Sequence, residues 1–235
     1  MSPEQLQRTY LDLTTPHVAD ACMRIGIPVR CAPSGMRPLW SGLHLVGRVC
    51  PARHAGSVDI FLEAIDRSNP GDVLVIDNGG RLDEACVGDL VTLEASRAGL
   101  SGIVIWGLHR DSSELKAIRL PVFSLGALPA GPQCLESRHD LALSSATCGP
   151  HIVAGDDIIL GDDDGVIFVP LDRADDVANL ATTIRDTERN QAARMRLGAT
   201  FRNQSRFDEY IDARRSDADI TFRQHLRSFG GAIEE

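Results

Sequence analysis

Two short stretches carry residue types that could do chemistry together: Gly88-Asp89-Leu90-Val91 and, about twenty residues on, Arg110-Asp111. Asp111 follows a run of strand character and opens a helix. Asp serves well there as a helix N-cap. It serves equally as an oxygen ligand for a hard divalent cation such as Mg²⁺, which takes one or two carboxylates and keeps several waters. Spacing alone leaves both readings open. Arg110 is either a surface cation or a fixed positive charge aimed at a carboxylate or a developing enolate. Gly88 inside a helix would cost about 1 kcal/mol against Ala, so the helix is expected to begin there. Such a start leaves the Leu90 and Val91 amides free to hold a carboxylate, with Asp89 placed to hold a metal-bound water.

Further polar residues gather after the preceding apolar run, at Asp77-Asn78-Gly79-Gly80-Arg81. Ligands of open α/β sheets bind beyond the carboxyl ends of the strands, so these residues are expected at the same site. Gly79 and Gly80 permit close backbone approach to a ligand. Asp77 is a supporting carboxylate or a turn former. Arg81 and Asp83 could form a plain ion pair. Of the seven histidines, His109 is nearest the site and is expected to support it structurally. Two motifs mislead. His109-Arg110-Asp111 echoes a kinase triplet, but Lys116 stands where that motif needs Asn, and no Gly-rich loop precedes it. Asp162-Asp163-Asp164-Gly165 echoes a calcium loop, but Leu160 and Leu171 would occupy its first and last ligand positions. A tight polar turn between strands accounts for it better.

The elements that must position these residues read as strand, helix, strand, helix, strand from Gly71 to Gly126. Val73 to Ile76 and Ile103 to Trp106 are continuous apolar runs, as in parallel strands covered on both faces. The helix between them ends at Gly99, a good C′ residue. Pro121 to Ser124 is the third strand. Upstream, helices are expected over Pro3 to Leu13 and from Thr14-Thr15-Pro16 to Gly26. A short strand follows at Leu45 to Val49, and then a helix capped by Ser57. Downstream, His151 to Pro170 reads as a hairpin or small sheet. A long helix covers Asp172 to Leu197, with two weaker ones at Arg206 to Arg214 and Asp219 to Phe229.

The chain has 235 residues and a net charge of −9. That length suits one large domain with a real core. The acidity, with no basic block, argues against nucleic acid or an anionic membrane as a partner. No apolar run approaches the roughly 20 residues needed to span a bilayer, and the start has no apolar signal core, so a cytoplasmic protein is expected. The six cysteines are scattered, with no CxxC pair, and are expected as buried reduced thiols.

The series GDVLVIDNGGR, GDL, GIVIWGLHRD and LPVFSLG resembles the RraA-like family. That family includes the regulator of ribonuclease E activity and class II pyruvate aldolases acting on 4-hydroxy-4-methyl-2-oxoglutarate and 4-carboxy-4-hydroxy-2-oxoadipate. The likeness extends to TPHVADA, LVGRV, GDDDGV, FDEY and the closing TFRQHLRSFGGAIEE. It implies one α/β domain over residues 1–235, with a compact swivelling β/β/α core and helical N- and C-terminal extensions, the latter from about residue 172. It also implies a homotrimer or homohexamer with sites at subunit interfaces, and Mg²⁺, Mn²⁺ or another divalent cation. Asp111 would bind the metal directly; Asp89 would hold it through water. Glu188 of a neighbouring subunit's long helix would do likewise. Arg110 would contact the substrate, and Gly88, Leu90 and Val91 would cradle its pyruvyl carboxylate. The activity implied is cleavage of a 4-hydroxy-2-oxo acid through pyruvate enolate, with oxaloacetate decarboxylation at the same site. The rival implication is a non-catalytic protein that binds and regulates a ribonuclease. A third is an aldolase-like site for a sugar acid or another 2-oxo acid.

Overall fold

The computed structural model describes residues 1–133 and 135–229. Cys134 and the last part of the closing stretch, residues 230–235, lie outside the described residues. Helix α1 (Pro3–Tyr10) opens the chain. The Ser2 hydroxyl accepts from the Gln5 amide while the Gln5 side chain accepts from the Ser2 amide, a capping box. Helix α2 (Thr15–Arg24) has Pro16 in its first turn, and Gly26, at φ +70°, lies just beyond its end. Short strands β1 (Arg30–Cys31) and β2 (Arg37–Pro38) precede the longest strand, β3 (Leu45–Arg53).

Then follow α3 (Asp59–Arg67), β4 (Val73–Asp77), β5 (Ala85–Val87), α4 (Asp89–Arg97), β6 (Gly102–Trp106), β7 (Leu108–His109), α5 (Ser112–Ile118) and β8 (Val122–Ser124). Strands β9 (Ser145–Cys148) and β10 (His151–Ala154) form one hairpin; β11 (Asp157–Asp162) and β12 (Gly165–Pro170) form another. The helices α6 (Ala174–Arg196), α7 (Phe201–Gln204), α8 (Phe207–Ser216) and α9 (Phe222–Ser228) complete the described chain.

Eight strands form a mixed sheet in the order β1-β12-β11-β3-β4-β6-β8-β2, so the fold is α/β. Strand β3 is its pivot. Its first half pairs antiparallel with β11, and Val49–Arg53 pair parallel with β4. This change of partner explains why β3 runs on to Arg53 rather than ending at Val49 as expected. Strands β4, β6 and β8 continue the parallel half. Alternation sorts the core into two layers. Leu74, Ile76, Ile103 and Ile105 pack with Phe61 and Ala64 of α3 and Ala95 of α4. Val73, Val75, Val104 and Phe123 face the other way, onto Ala146, Val153, Ile159 and Phe168 of the two hairpins. Both faces are covered, as the continuous apolar runs require.

Some local expectations change. Val58, not Ser57, holds the N-cap position of α3, with no side-chain cap bond; Ser57 instead hydrogen-bonds the Asp59 side chain. Cys31 is exposed and Cys50 only partly buried, whereas Cys22, Cys86 and Cys148 are buried. Burial pushes the Cys50 and Cys148 thiols up to about 12. The Asp162–Gly165 turn closes the β11–β12 hairpin. Asp162 accepts from the Thr15 amide and hydroxyl and from the Asp164 amide, so its carboxylate is spent on the turn.

The chain forms two units: Met1–Pro16 with Val29–Asp175, and His17–Pro28 with the chain from Asp176 on. The first holds the β/β/α core. In the second, Tyr210, Phe222 and His225 cluster, and His225 Nε2 lies 2.9 Å from the Ser205 carbonyl. Among the described residues, no helix is long and apolar enough to cross a membrane.

Phe123 is fully buried, and a Cβ added to Gly161 would lie only 2.9 Å from its ring. The ring therefore fills the space between β8 and β11. Phe123→Ala should cost about 3–5 kcal/mol, read as a lower urea midpoint. A loss below about 1 kcal/mol would mean that this layer is not tightly packed.

Candidate active site

Strands β5 and β7, absent from the sequence reading, bring the two signatures together. They pair in parallel, Ala85 with Leu108 and Val87 with His109, around a bulge. The Arg110 amide then donates to the Val87 carbonyl at 2.9 Å. Gly88-Asp89 leaves the end of one strand and Arg110-Asp111 the end of the other. Runs of three and two residues are too short to show periodicity, so no sequence signal could have revealed this pairing.

Gly88 is the N-cap of α4, where the cost of an internal Gly placed the helix start. Asp111 is the N-cap of α5, but its side chain makes no cap hydrogen bond. Its backbone lies at φ 58°, a left-handed conformation that Asp tolerates better than most residues but that only Gly adopts freely. The carboxylate turns toward the other signature instead. Asp111 Oδ2 lies 3.5 Å from Arg110 Nε and 3.4 Å from the Asp89 amide. A Cβ on Gly88 would stand 2.3 Å from that oxygen, so a side chain there would push the carboxylate aside.

Gly88, Asp89, Leu90, Val91 and Arg110 all line one cleft of about 460 Å³, and Asp111 adjoins it through Gly88. The Leu90 amide is not free, as expected from the helix start, but donates to Asp89 Oδ1 at 2.8 Å. His109 is buried and structural in its contacts. Its Nδ1 lies 2.7 Å from Ser124 Oγ and its Nε2 3.0 Å from Ser112 Oγ, so it ties β8 to α5 directly behind Arg110. Burial, with Lys116 nearby, lowers its pKa.

Other expected members lie elsewhere. Asp77, Gly79 and Arg81 line a different cavity of about 290 Å³, together with His54 and Glu84. Asp77 anchors loops: its Oδ1 accepts from Gly79 and its Oδ2 from Thr147. Arg81 does pair with Asp83, at 3.0 Å, and also approaches Glu84 at 3.3 Å. Glu188 belongs to the second unit, where its Oε2 lies 3.2 Å from His17 Nε2. Among the described residues, no group of three or more His, Cys, Asp or Glu side chains is arranged to hold a metal. A cation held by Asp111 and Asp89 would therefore draw most of its ligands from water and substrate. Their hard oxygen donors and the space left by Gly88 suit Mg²⁺ in that mode.

Comparison with known proteins agrees with this architecture. The RraA-like family model, described as Aldolase/RraA, matches residues 15–168. The chain belongs to that family. Protein DlpA of Legionella pneumophila is 30% identical over 216 residues, 85% of this chain but 33% of its own length. The chain thus spans about a third of that relative. A Halalkalibacterium halodurans protein named "Putative 4-hydroxy-4-methyl-2-oxoglutarate aldolase" is 31% identical over 150 residues, 63% of this chain and 70% of its own. The crystal structure of Streptomyces coelicolor RraAS2, described as an unusual member of the RNase ES inhibitor RraA protein family, shares the fold. Its TM-score is 0.68 at 23% identity, over 81% of this chain and 96% of that one.

The neighbouring cavity yields a pH prediction. The His54 side chain is 1% exposed, and burial lowers its pKa from the ordinary 6.5. The unfolded chain therefore binds this proton at a higher pH than the folded one. Its contribution to stability is full above pH 6.5 and is lost as the pH falls from there through the folded value. Imidazole NMR should find His54 titrating below 6.5, with the thermal midpoint falling over the same window. A His54 titration at or above 6.5 would contradict this.

Proposed function

We propose that the chain is a divalent-metal-dependent lyase that cleaves a C–C bond of a 4-hydroxy-2-oxo acid, of the 4-hydroxy-4-methyl-2-oxoglutarate or 4-carboxy-4-hydroxy-2-oxoadipate type. Oxaloacetate decarboxylation is its side activity. One observation carries this reading: the uncapped Asp111 carboxylate, held in a strained backbone beside Gly88, Asp89 and Arg110.

Asp111 directly, and Asp89 through water, would hold Mg²⁺ or Mn²⁺. Such a cation supplies a Lewis acid that polarises the 2-oxo oxygen. The substrate carboxylate lies at the N-terminus of α4, where the dipole and the Leu90 and Val91 amides favour an anion. Binding there exchanges the Leu90–Asp89 hydrogen bond for one to substrate and leaves Asp89 free to hold a water. In the retro-aldol direction the 4-hydroxyl proton would pass through that water to the Asp89 carboxylate. The C3–C4 bond breaks and its electron pair enters the pyruvate enolate. Arg110 faces the charge as it develops, which is where electrostatic stabilisation accelerates a reaction most. Loss of CO₂ from oxaloacetate produces the same enolate.

Exposed Leu62 and Leu90 rim the cleft, apolar surface suited to cover by a neighbouring copy in a trimer or hexamer. Glu188 would enter the site from such a copy.

Pyruvate release from oxaloacetate and from 4-hydroxy-4-methyl-2-oxoglutarate tests the reading, with Mg²⁺ or Mn²⁺ against excess chelator. Activity should vanish with chelator and in Asp111→Ala. Arg110→Ala should lower turnover by about 10²–10³ while leaving the melting temperature nearly unchanged. No pyruvate with any divalent cation would remove the lyase and leave the ribonuclease-regulator reading, whose partner binding should survive chelation. Gly88→Ala should weaken Mg²⁺ binding in calorimetry by about tenfold, for about 1 kcal/mol of stability. Unchanged Mg²⁺ affinity in that variant would detach Asp111 from the metal.

A further inference from the structure

The cleft beside Asp111 extends along α4. Leu90, Leu93, Glu94 and Arg97 recur at helical spacing on one face of that helix, and all of them line the cleft. Leu62 of α3 lines it as well. Asp89 and Arg97 are the first and last residues of α4, about 12 Å apart along its axis at about 1.5 Å per residue. Helical side chains lean toward the helix N-terminus, so the Arg97 guanidinium can come back about one turn and leave a gap of roughly 7 Å. A chain of a few carbons with a charged group at each end fits such a gap.

With Arg110, Arg97 is one of two cations lining the cleft, and among the described residues its side chain has neither a hydrogen bond nor an ion pair. Glu94, three residues earlier on the same face, does not pair with it. Other arginines are spent: Arg30 on Asp157, Arg81 on Asp83 and Arg138 on Glu63. The helix dipole accounts for a cation in the last turn of α4, but not for its place on the cleft. A planar guanidinium with open donors suits a carboxylate, which it can hold through two parallel hydrogen bonds. Glu94 would repel a doubly charged phosphate more strongly than a singly charged carboxylate. A hydroxyl-ended sugar acid would offer Arg97 no charge, and Leu62, Leu90 and Leu93 would offer its hydroxyls no partner.

We infer that Arg97 holds the distal carboxylate of the substrate, so that the cleft selects 2-oxo dicarboxylates over 2-oxo acids with a neutral end. The inference rests on the lyase reading for the near end of the substrate, at Arg110 and the start of α4. It adds the residue that reads the far end.

Calorimetry on the full chain with Mg²⁺ would test it, comparing 2-oxoglutarate with 2-oxopentanoate, the same carbon chain with a methyl group in place of the distal carboxylate. Neither carries the 4-hydroxyl whose proton starts cleavage, so both remain intact. 2-Oxoglutarate should bind about tenfold tighter. Arg97→Met should remove that preference by weakening 2-oxoglutarate alone, and Arg97→Lys should keep part of it. Glu94→Gln, which takes away the neighbouring negative charge, should tighten 2-oxoglutarate and leave 2-oxopentanoate unchanged. Equal binding of the two probes by the unmodified chain, or an undiminished preference in Arg97→Met, would overturn the inference while leaving the lyase in place. Equal weakening of both probes in Arg97→Met would make Arg97 structural and overturn it too. Binding of neither probe by the unmodified chain would remove the lyase reading itself, and this inference with it.

Discussion

The parallel pairing of β5 with β7 is the contact on which the candidate active site depends. It is small, with two residue pairs and a bulge, yet together with the Arg110–Val87 backbone hydrogen bond it sets Gly88-Asp89 against Arg110-Asp111. Parallel neighbours need a long crossover, and here α4 and β6 supply it. The large sheet then bears the load. Its buried strands β4 and β6 hold both ends of the crossover, and His109 bridges two serines to hold β7 against β8 and α5. The left-handed backbone at Asp111 is sustained in that frame.

The same short strand separates two chemically different cavities. Glu84, just before it, lines the polar cavity, and Ala85 and Cys86 line the apolar cleft. On one side lie Val58, Leu62, Leu90 and Leu93 around a few polar groups, a surface that a neighbouring molecule could dry. On the other lie arginines, carboxylates and histidines, among them Arg81 within 3.3 Å of Glu84. A dry-walled cleft strengthens electrostatic interactions with a charged substrate.

Membership of the RraA-like family is compatible with catalysis and with regulation; the geometry around Asp111 is what favours the proposed catalysis. A purely structural Asp111 would be expected to cap α5, since capping is what Asp at such a position does well. It does not cap, and Gly88 keeps its oxygen unobstructed. An arrangement that accepts backbone strain and forgoes a cap in order to present a carboxylate beside an arginine has the character of a reactive site.

Much of this was legible in the sequence by itself. The parallel strands β4 and β6 follow from continuous apolar runs, the start of α4 from the cost of an internal Gly, and its end from Gly99 at φ +79°. The β11–β12 hairpin follows from its polar turn, and the chemistry of Asp89, Arg110 and Asp111 from their types and spacing. These are local effects, written in periodicity and backbone preference. What the tertiary structure decided was adjacency. It drew β5 to β7, carried β3 from one partner to another, sent Asp77 and Arg81 away from Asp89, and joined His54 to Glu84 across distant stretches of chain. Pairing between short strands, and the cavity a side chain enters, depend on contacts between residues far apart in sequence, and no local pattern encodes those.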